Sequence, residues 1–104
     1  MTEEEQIEYV VASWGAIKWI ANPSEAVQLA AVTQNGWSIQ FIDNPSEAVQ
    51  LAAVTRHSFA IKIIKNPSEE LQLSAVTKNG WAIKYIKNPS DRVRVLAELC
   101  KVHL

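Results

Sequence analysis

The sequence predicts an all-α fold, an α-solenoid of about five two-helix units, and three observations carry that prediction. Asn-Pro-Ser followed by an acidic residue begins at Asn22, Asn44, Asn66 and Asn88, so the motif returns every 22 residues. A fixed period of that size marks repeat architectures, in which each unit buries its apolar face only against its neighbours. Within a period, apolar residues recur three apart, as in Leu29 and Val32 or Ile39 and Ile42, which is the spacing of one helical face. Helix-starting and helix-stopping residues bracket each such stretch. The units are 1–21, 22–43, 44–65, 66–87 and 88–104, forming one domain of nine short helices with polar ends.

Residues 2–21 read as a worn first unit, with Ile7, Val10, Ile17 and Ile20 at core positions and Glu3, Glu4, Glu5 and Glu8 coating the outside as a cap. In the next unit Asn22 suits the N-cap, Pro23 the first helical position, and Glu25 can reach back to the cap. That helix is expected to run about twelve residues, roughly 18 Å, to Asn35-Gly36, where glycine can take the left-handed conformation that ends a helix. A shorter helix, Trp37 to Ile42, follows and stops at the next Asn-Pro. Leu29, Leu51 and Leu73 align with one another, as do Val32, Val54 and Val76, and both rows are expected in the core. Leu51→Ala should then cost ~2–5 kcal/mol by leaving a cavity. Gly80→Val should also destabilise, because a β-branched residue resists positive φ. Ser58→Gly should help if its turn shares that conformation. The small pairs Ala30-Ala31, Ala52-Ala53 and Ser74-Ala75 allow close approach of neighbouring helices. Gln28, Gln50, Gln72 and Arg94, with Glu25, Glu47, Glu69 and Asp91, make a polar stripe expected in solvent. The last helix, from Pro89 towards residue 102, carries Arg92, Arg94, Glu98 and Lys101 and reads as the opposite cap. Five units advancing by one interhelical distance each give a stack roughly 40–50 Å long.

Composition narrows the setting. The chain has 104 residues, 48% of them hydrophobic, enough for one continuous core and too few for a second domain. A single cysteine, Cys100, rules out an intrachain disulfide and fits a reducing, cytoplasmic compartment. The acidic N-terminus is unlike a secretory signal, and no apolar run approaches the roughly 18 residues needed to span a bilayer. Residues 1–52 carry one positive and seven negative charges, and residues 53–104 carry nine positive and four negative, so the net charge of -1 hides halves of -6 and +5. Such polarity can orient a charged partner.

The run Ala-Val-Thr-x-Asn-Gly-Trp-x-Ile-x-x-Ile-x-Asn-Pro-Ser-Glu-x-x-Gln-Leu-x-Ala-Val, carried by residues 31–54 and again from Ala75, resembles short tandem α-helical repeats of unknown function in bacterial, bacteriophage and giant-virus proteins. The resemblance covers most of the chain and implies a helical-repeat interaction module in a viral or mobile gene. Such a module would work in the host cytoplasm, where it could occupy a host defence protein as an inhibitor. Two units depart from the pattern: the third has His57-Ser58-Phe59 in place of Asn-Gly-Trp, and the first has Trp14-Gly15 where the others read Gly-Trp.

Catalysis has little to rest on. Cys100 and His103, three apart on the last helix, are two groups at a chain end, short of a metal site. No phosphate-binding loop is present, no cofactor is implied, and an enzymatic role is not expected. The aromatic residues are the stronger candidates. Trp37 with Phe41, Phe59 with Ile63, and Trp81 with Tyr85 are each four apart, which would pair them on one face of the second helices, with Trp14 and Trp19 extending the row. Lys62 and Lys84 align beside it, Lys65 and Lys87 lie a turn further on, and His57 stands at the neighbouring helix end. One expectation is that the rings close gaps between second helices. The other is that part of the row is exposed as a binding surface for a protein with an acidic patch, the chain acting as a monomer or homodimer. Aromatic rings interleaved with lysines can also track a nucleic-acid strand, although the acidic half opposes it. No membrane partner is expected.

Overall fold

The computed structural model describes residues 1–101, and among them every element is helical. Five α-helices, α1 (Glu3–Ala12), α2 (Glu25–Gln34), α3 (Glu47–Arg56), α4 (Glu69–Lys78) and α5 (Asp91–Lys101), alternate with four 3₁₀-helices, η1 (Ala16–Trp19), η2 (Gly36–Phe41), η3 (Ser58–Ile63) and η4 (Gly80–Tyr85). Each α-helix packs on the next and each 3₁₀-helix on the next, giving two layers wound into a solenoid. Its longest dimension is 46 Å, within the range that the repeat count predicts. The second helices are 3₁₀ rather than α because each holds at most six residues between extended ends. There the tighter i→i+3 bond, such as Ile42 N–H to the Ile39 carbonyl at 3.1 Å, closes the turn.

The helix start lies two residues later than the motif suggests. Asn22, Asn44, Asn66 and Asn88 are not caps; they adopt φ of 50° to 51°, a left-handed conformation that asparagine tolerates better than most residues. The following serine is the cap: the Val27, Val49, Leu71 and Val93 amides donate to the hydroxyls of Ser24, Ser46, Ser68 and Ser90. This shift frees the acidic residue from capping its own helix. Glu3, Glu25, Glu47 and Glu69 instead accept the hydroxyl protons of Ser24, Ser46, Ser68 and Ser90, one unit further on, at 2.5 to 2.6 Å. Each helix start is thereby tied to the one before it by a charge-assisted bond. The glutamines are not a free solvent stripe either, since Gln28, Gln50 and Gln72 each donate to the proline carbonyl five residues earlier, at 3.0 Å. The capping box expected at Asn22–Glu25 is found instead on α1, where Thr2 and Glu5 bond reciprocally; the Thr2 amide holds the Glu5 carboxyl below the usual carboxylate range.

The buried columns are Val27, Val49, Leu71 and Val93, then Val10, Val32, Val54 and Val76, and then Ala31, Ala53, Ala75 and Ala97, with Ile17, Ile39 and Ile61 from the 3₁₀ layer. The leucine row expected in the core is not there: Leu29 and Leu73 are half-buried and Leu51 is 40% exposed. The α-helices are apolar over more than one face, so the Leu-Val spacing alone cannot say which leucine turns inward. Leu51→Ala should therefore cost less than ~1 kcal/mol, as surface substitutions do, in an equilibrium urea titration. At the ends the columns change character. Glu5 and Tyr9 on α1 stand where Val27 and Ala31 stand on α2, and Glu98 on α5 takes the place of Val76. Charge and bulk there replace the small apolar residues of the inner columns.

The core runs along the array as two buried groups joined through α3 and Ile64. The groups meet within α3, between Ala53 and Val54, and Ile64 packs against both. Gly36 and Gly80 mark close approaches between the 3₁₀ layer and the next α-helix. Neither has positive φ; each is glycine because a Cβ would lie 2.3 Å from a backbone carbonyl of the next α-helix, Ala53 O or Ala97 O. The third unit has Ser58 at that place, so the same approach is closed to it, and α4 packs more thinly on η3 than α3 on η2 or α5 on η4. Leu71, the one leucine in a column of valines, is fully buried on α4. Of the three glycines only Gly15, in the unit with the inverted Trp-Gly order, takes the left-handed conformation, at φ 80°.

Candidate functional site

The 3₁₀ layer carries an interleaved row of rings and ammonium groups. On a helix of three residues per turn, residues four apart do not share a face, so the within-unit pairing of Trp37 with Phe41 and Trp81 with Tyr85 does not form. The rings meet across units instead. Phe59 packs edge-on against Tyr85 with centroids 5.3 Å apart, and Trp14 against Phe41 at 5.6 Å. Lys62 Nζ lies 5.4 Å from the Trp37 ring and 5.4 Å from the Tyr85 ring, and Lys84 Nζ lies 5.6 Å from Phe59 and 5.2 Å from Tyr85. Both lysines thus sit within cation–π range of two rings. Trp37, Lys62, Tyr85, Lys84 and Phe59 form one connected cluster over units two to four. Lys18 repeats the pattern at the other end, 5.3 Å from both Trp19 and Phe41.

Exposure grades along the row. Trp37, Phe41, Phe59 and Tyr85 are half-buried, whereas Trp19 and Trp81 are 72% and 54% exposed. Lys62, Lys65, Lys84 and Lys87 are all exposed. The rings therefore do both things expected of them: they seal the seams between 3₁₀-helices and leave their outer edges in solvent. Lys101, not singled out by the sequence, completes the row by lying 4.5 Å from the Trp81 ring while pairing with Glu98 at 3.1 Å.

His57 is turned to a different task. At the equivalent positions, the Asn35 and Asn79 side chains accept the amides of Trp37 and Trp81. His57 caps nothing in its own unit; its Nδ1 accepts the amide proton of buried Gly36 in the unit before, at 3.0 Å, and its ring stacks on Trp37 at 6.5 Å. An accepting Nδ1 requires the proton on Nε2, the neutral tautomer. Burial, and then the Arg56 charge, lower the His57 pKa below the usual histidine value. The unfolded chain thus binds this proton at higher pH than the folded one. Its stabilising contribution is complete above the ordinary histidine pKa of about 6.5 and is lost as pH falls through the folded value. Between pH 7.5 and 5 the wild-type melting temperature should fall, by an amount reflecting ~1 kcal/mol for one lost hydrogen bond. His57→Asn should flatten that slope, and equal slopes for the two proteins would assign the pH dependence elsewhere.

Cys100 is half-buried, and His103 lies outside the described residues. Among the described residues no three His, Cys, Asp or Glu side chains come together as a metal site would require, and no helix is long and apolar enough to cross a membrane. On the α layer, two shallow apolar grooves went unnoticed in the sequence. One is lined by Leu51, Ala48 and Thr55, the other by Leu73, Val95, Leu96 and Leu99. No protein-family model matches the chain, and no curated protein or solved structure is significantly similar to it.

Proposed function

We propose that the chain is a non-enzymatic protein-binding module that meets its partner through the aromatic and lysine row of the 3₁₀ layer. The observation behind this reading is the Trp37–Lys62–Tyr85–Lys84–Phe59 cluster, in which ring faces are held by ammonium groups whose N–H bonds still reach solvent. Packing across the units holds the half-buried Trp37, Phe59 and Tyr85 rings in place before any partner arrives, which lowers the entropy cost of association. Half-exposed Trp and Tyr beside cations are the side chains that dominate interface energetics. The positive charge of the second half favours a partner with an acidic patch. The repeat pattern resembles those of viral and mobile genes, and a small array of that origin would act by covering a docking surface of a host cytoplasmic protein. Inhibition of a defence protein is one such action.

The test is capture from lysate of the cell that contains the protein, using wild type, a ridge variant (Trp81→Ala with Lys84→Ala) and an α-layer variant (Leu51→Ser). A partner retained by wild type and Leu51→Ser and lost from the ridge variant supports the reading. A partner lost only from Leu51→Ser would move the interface to the other layer. The interleaving of rings and lysines also suits a single nucleic-acid strand. Oligonucleotide affinity that falls steeply with salt would favour that alternative.

A further inference from the structure

Where one Asn-Pro turn meets the next, the array forms the same cleft three times. The first is lined by Lys18, Asn22, Gln28, Phe41 and Asp43, the second by Asp43, Asn44, Gln50, Ile63 and Lys65, and the third by Lys62, Lys65, Asn66, Tyr85 and Lys87. Their volumes are about 450, 620 and 680 Å³. The walls repeat because the left-handed asparagine and the glutamine-to-proline bond repeat. Charge does not repeat. The first two clefts each hold one lysine and Asp43, whereas the third holds three lysines and no acid. Among the described residues, none of Lys62, Lys65 and Lys87 has a carboxylate within ion-pair distance.

We infer that the cleft between the third and fourth units is the anchor for an acidic side chain on an extended segment of a partner protein, seated between Lys65 and Lys87 against Tyr85. This inference rests on the protein-binding reading above and adds to it a place and a charge pattern. Adjacent clefts are one interhelical distance apart, roughly 8–10 Å, which an extended segment covers in about three residues. The recognised segment therefore carries an acidic residue over the third cleft and, three positions along, a neutral or basic one over Asp43 of the second. A nucleic-acid strand fits less well, because its evenly spaced phosphates cannot avoid Asp43 and then the acidic first half.

The experiment uses fluorescence anisotropy with a labelled twelve-residue glutamate-rich peptide as the probe, against a lysine-rich peptide and a single-stranded oligonucleotide of matched length. Wild type is compared with Lys65→Ala/Lys87→Ala and with Asp43→Lys, each checked for helicity by circular dichroism. The glutamate peptide should bind about tenfold more weakly to the double variant. Asp43→Lys, which makes the second cleft basic, should tighten it severalfold. An affinity within twofold for all three proteins, no binding of the peptide at low salt, or an oligonucleotide that binds more tightly than the peptide would each overturn the inference. Lysate capture separates this from the broader reading: a partner lost from the Trp81→Ala/Lys84→Ala variant but kept by Lys65→Ala/Lys87→Ala removes the anchor cleft and leaves protein binding in place. Capture indifferent to both variants removes both.

Discussion

Gly80→Val is expected to destabilise the array by about 3 kcal/mol or more, at the upper end of what overpacking usually costs. A Cβ at this position would meet Ala97 O at 2.3 Å, Lys101 N at 2.8 Å and Lys101 Cγ at 2.9 Å. Two of the three are backbone atoms of α5, so no rotamer change relieves the clash; the whole terminal helix must move off η4. That movement opens Val93 and Ala97, both fully buried, and separates Lys101 from the Trp81 ring. Gly80→Ala should behave nearly as badly, which distinguishes steric exclusion from resistance to positive φ. A chemical denaturation midpoint unchanged by Gly80→Ala would mean that α5 is not held at this distance.

Leu71→Ala is expected to cost ~2–5 kcal/mol, the range for removing a fully buried leucine. Leu71 is 0% exposed and shares a cluster with Val54, Ile61, Ala75, Val76 and Val93. Leu51→Ala, the same deletion twenty residues earlier, should barely register. A Leu71→Ala loss no larger than that of Leu51→Ala would show that the third junction repacks freely.

Much of this architecture was legible from the sequence: the period, the nine helices among the described residues, the direction of the charge gradient and the length of the stack follow from motif spacing and cap chemistry. The errors have a common origin in contacts between units. Asparagine and serine are both good caps, and their order in Asn-Pro-Ser-Glu leaves two frames open; the choice falls to serine, whose hydroxyl also finds a glutamate 21 residues away. Gly36 and Gly80 look like left-handed helix ends when read locally, but they are small because another helix passes over them. The aromatic row was visible as a periodic feature, whereas the identity of the touching rings depended on the short helices being 3₁₀. The substitution of His57 for asparagine stood out in the repeat, yet its bond to an amide in the preceding unit has no local signature.

The serine-to-glutamate rungs make the number of modules a free variable. Excising residues 44–65 would bring Ser68 to Glu25 as the donor that Ser46 now is, set Ala75 over Gly36 where Ala53 now lies, and leave both terminal caps untouched. The excision would also discard His57, whose place over Gly36 would pass to Asn79. A gene of this kind can lengthen or shorten its product in whole steps, each shifting the spacing between the acidic and basic ends while keeping the serine-to-glutamate rung at the new junction.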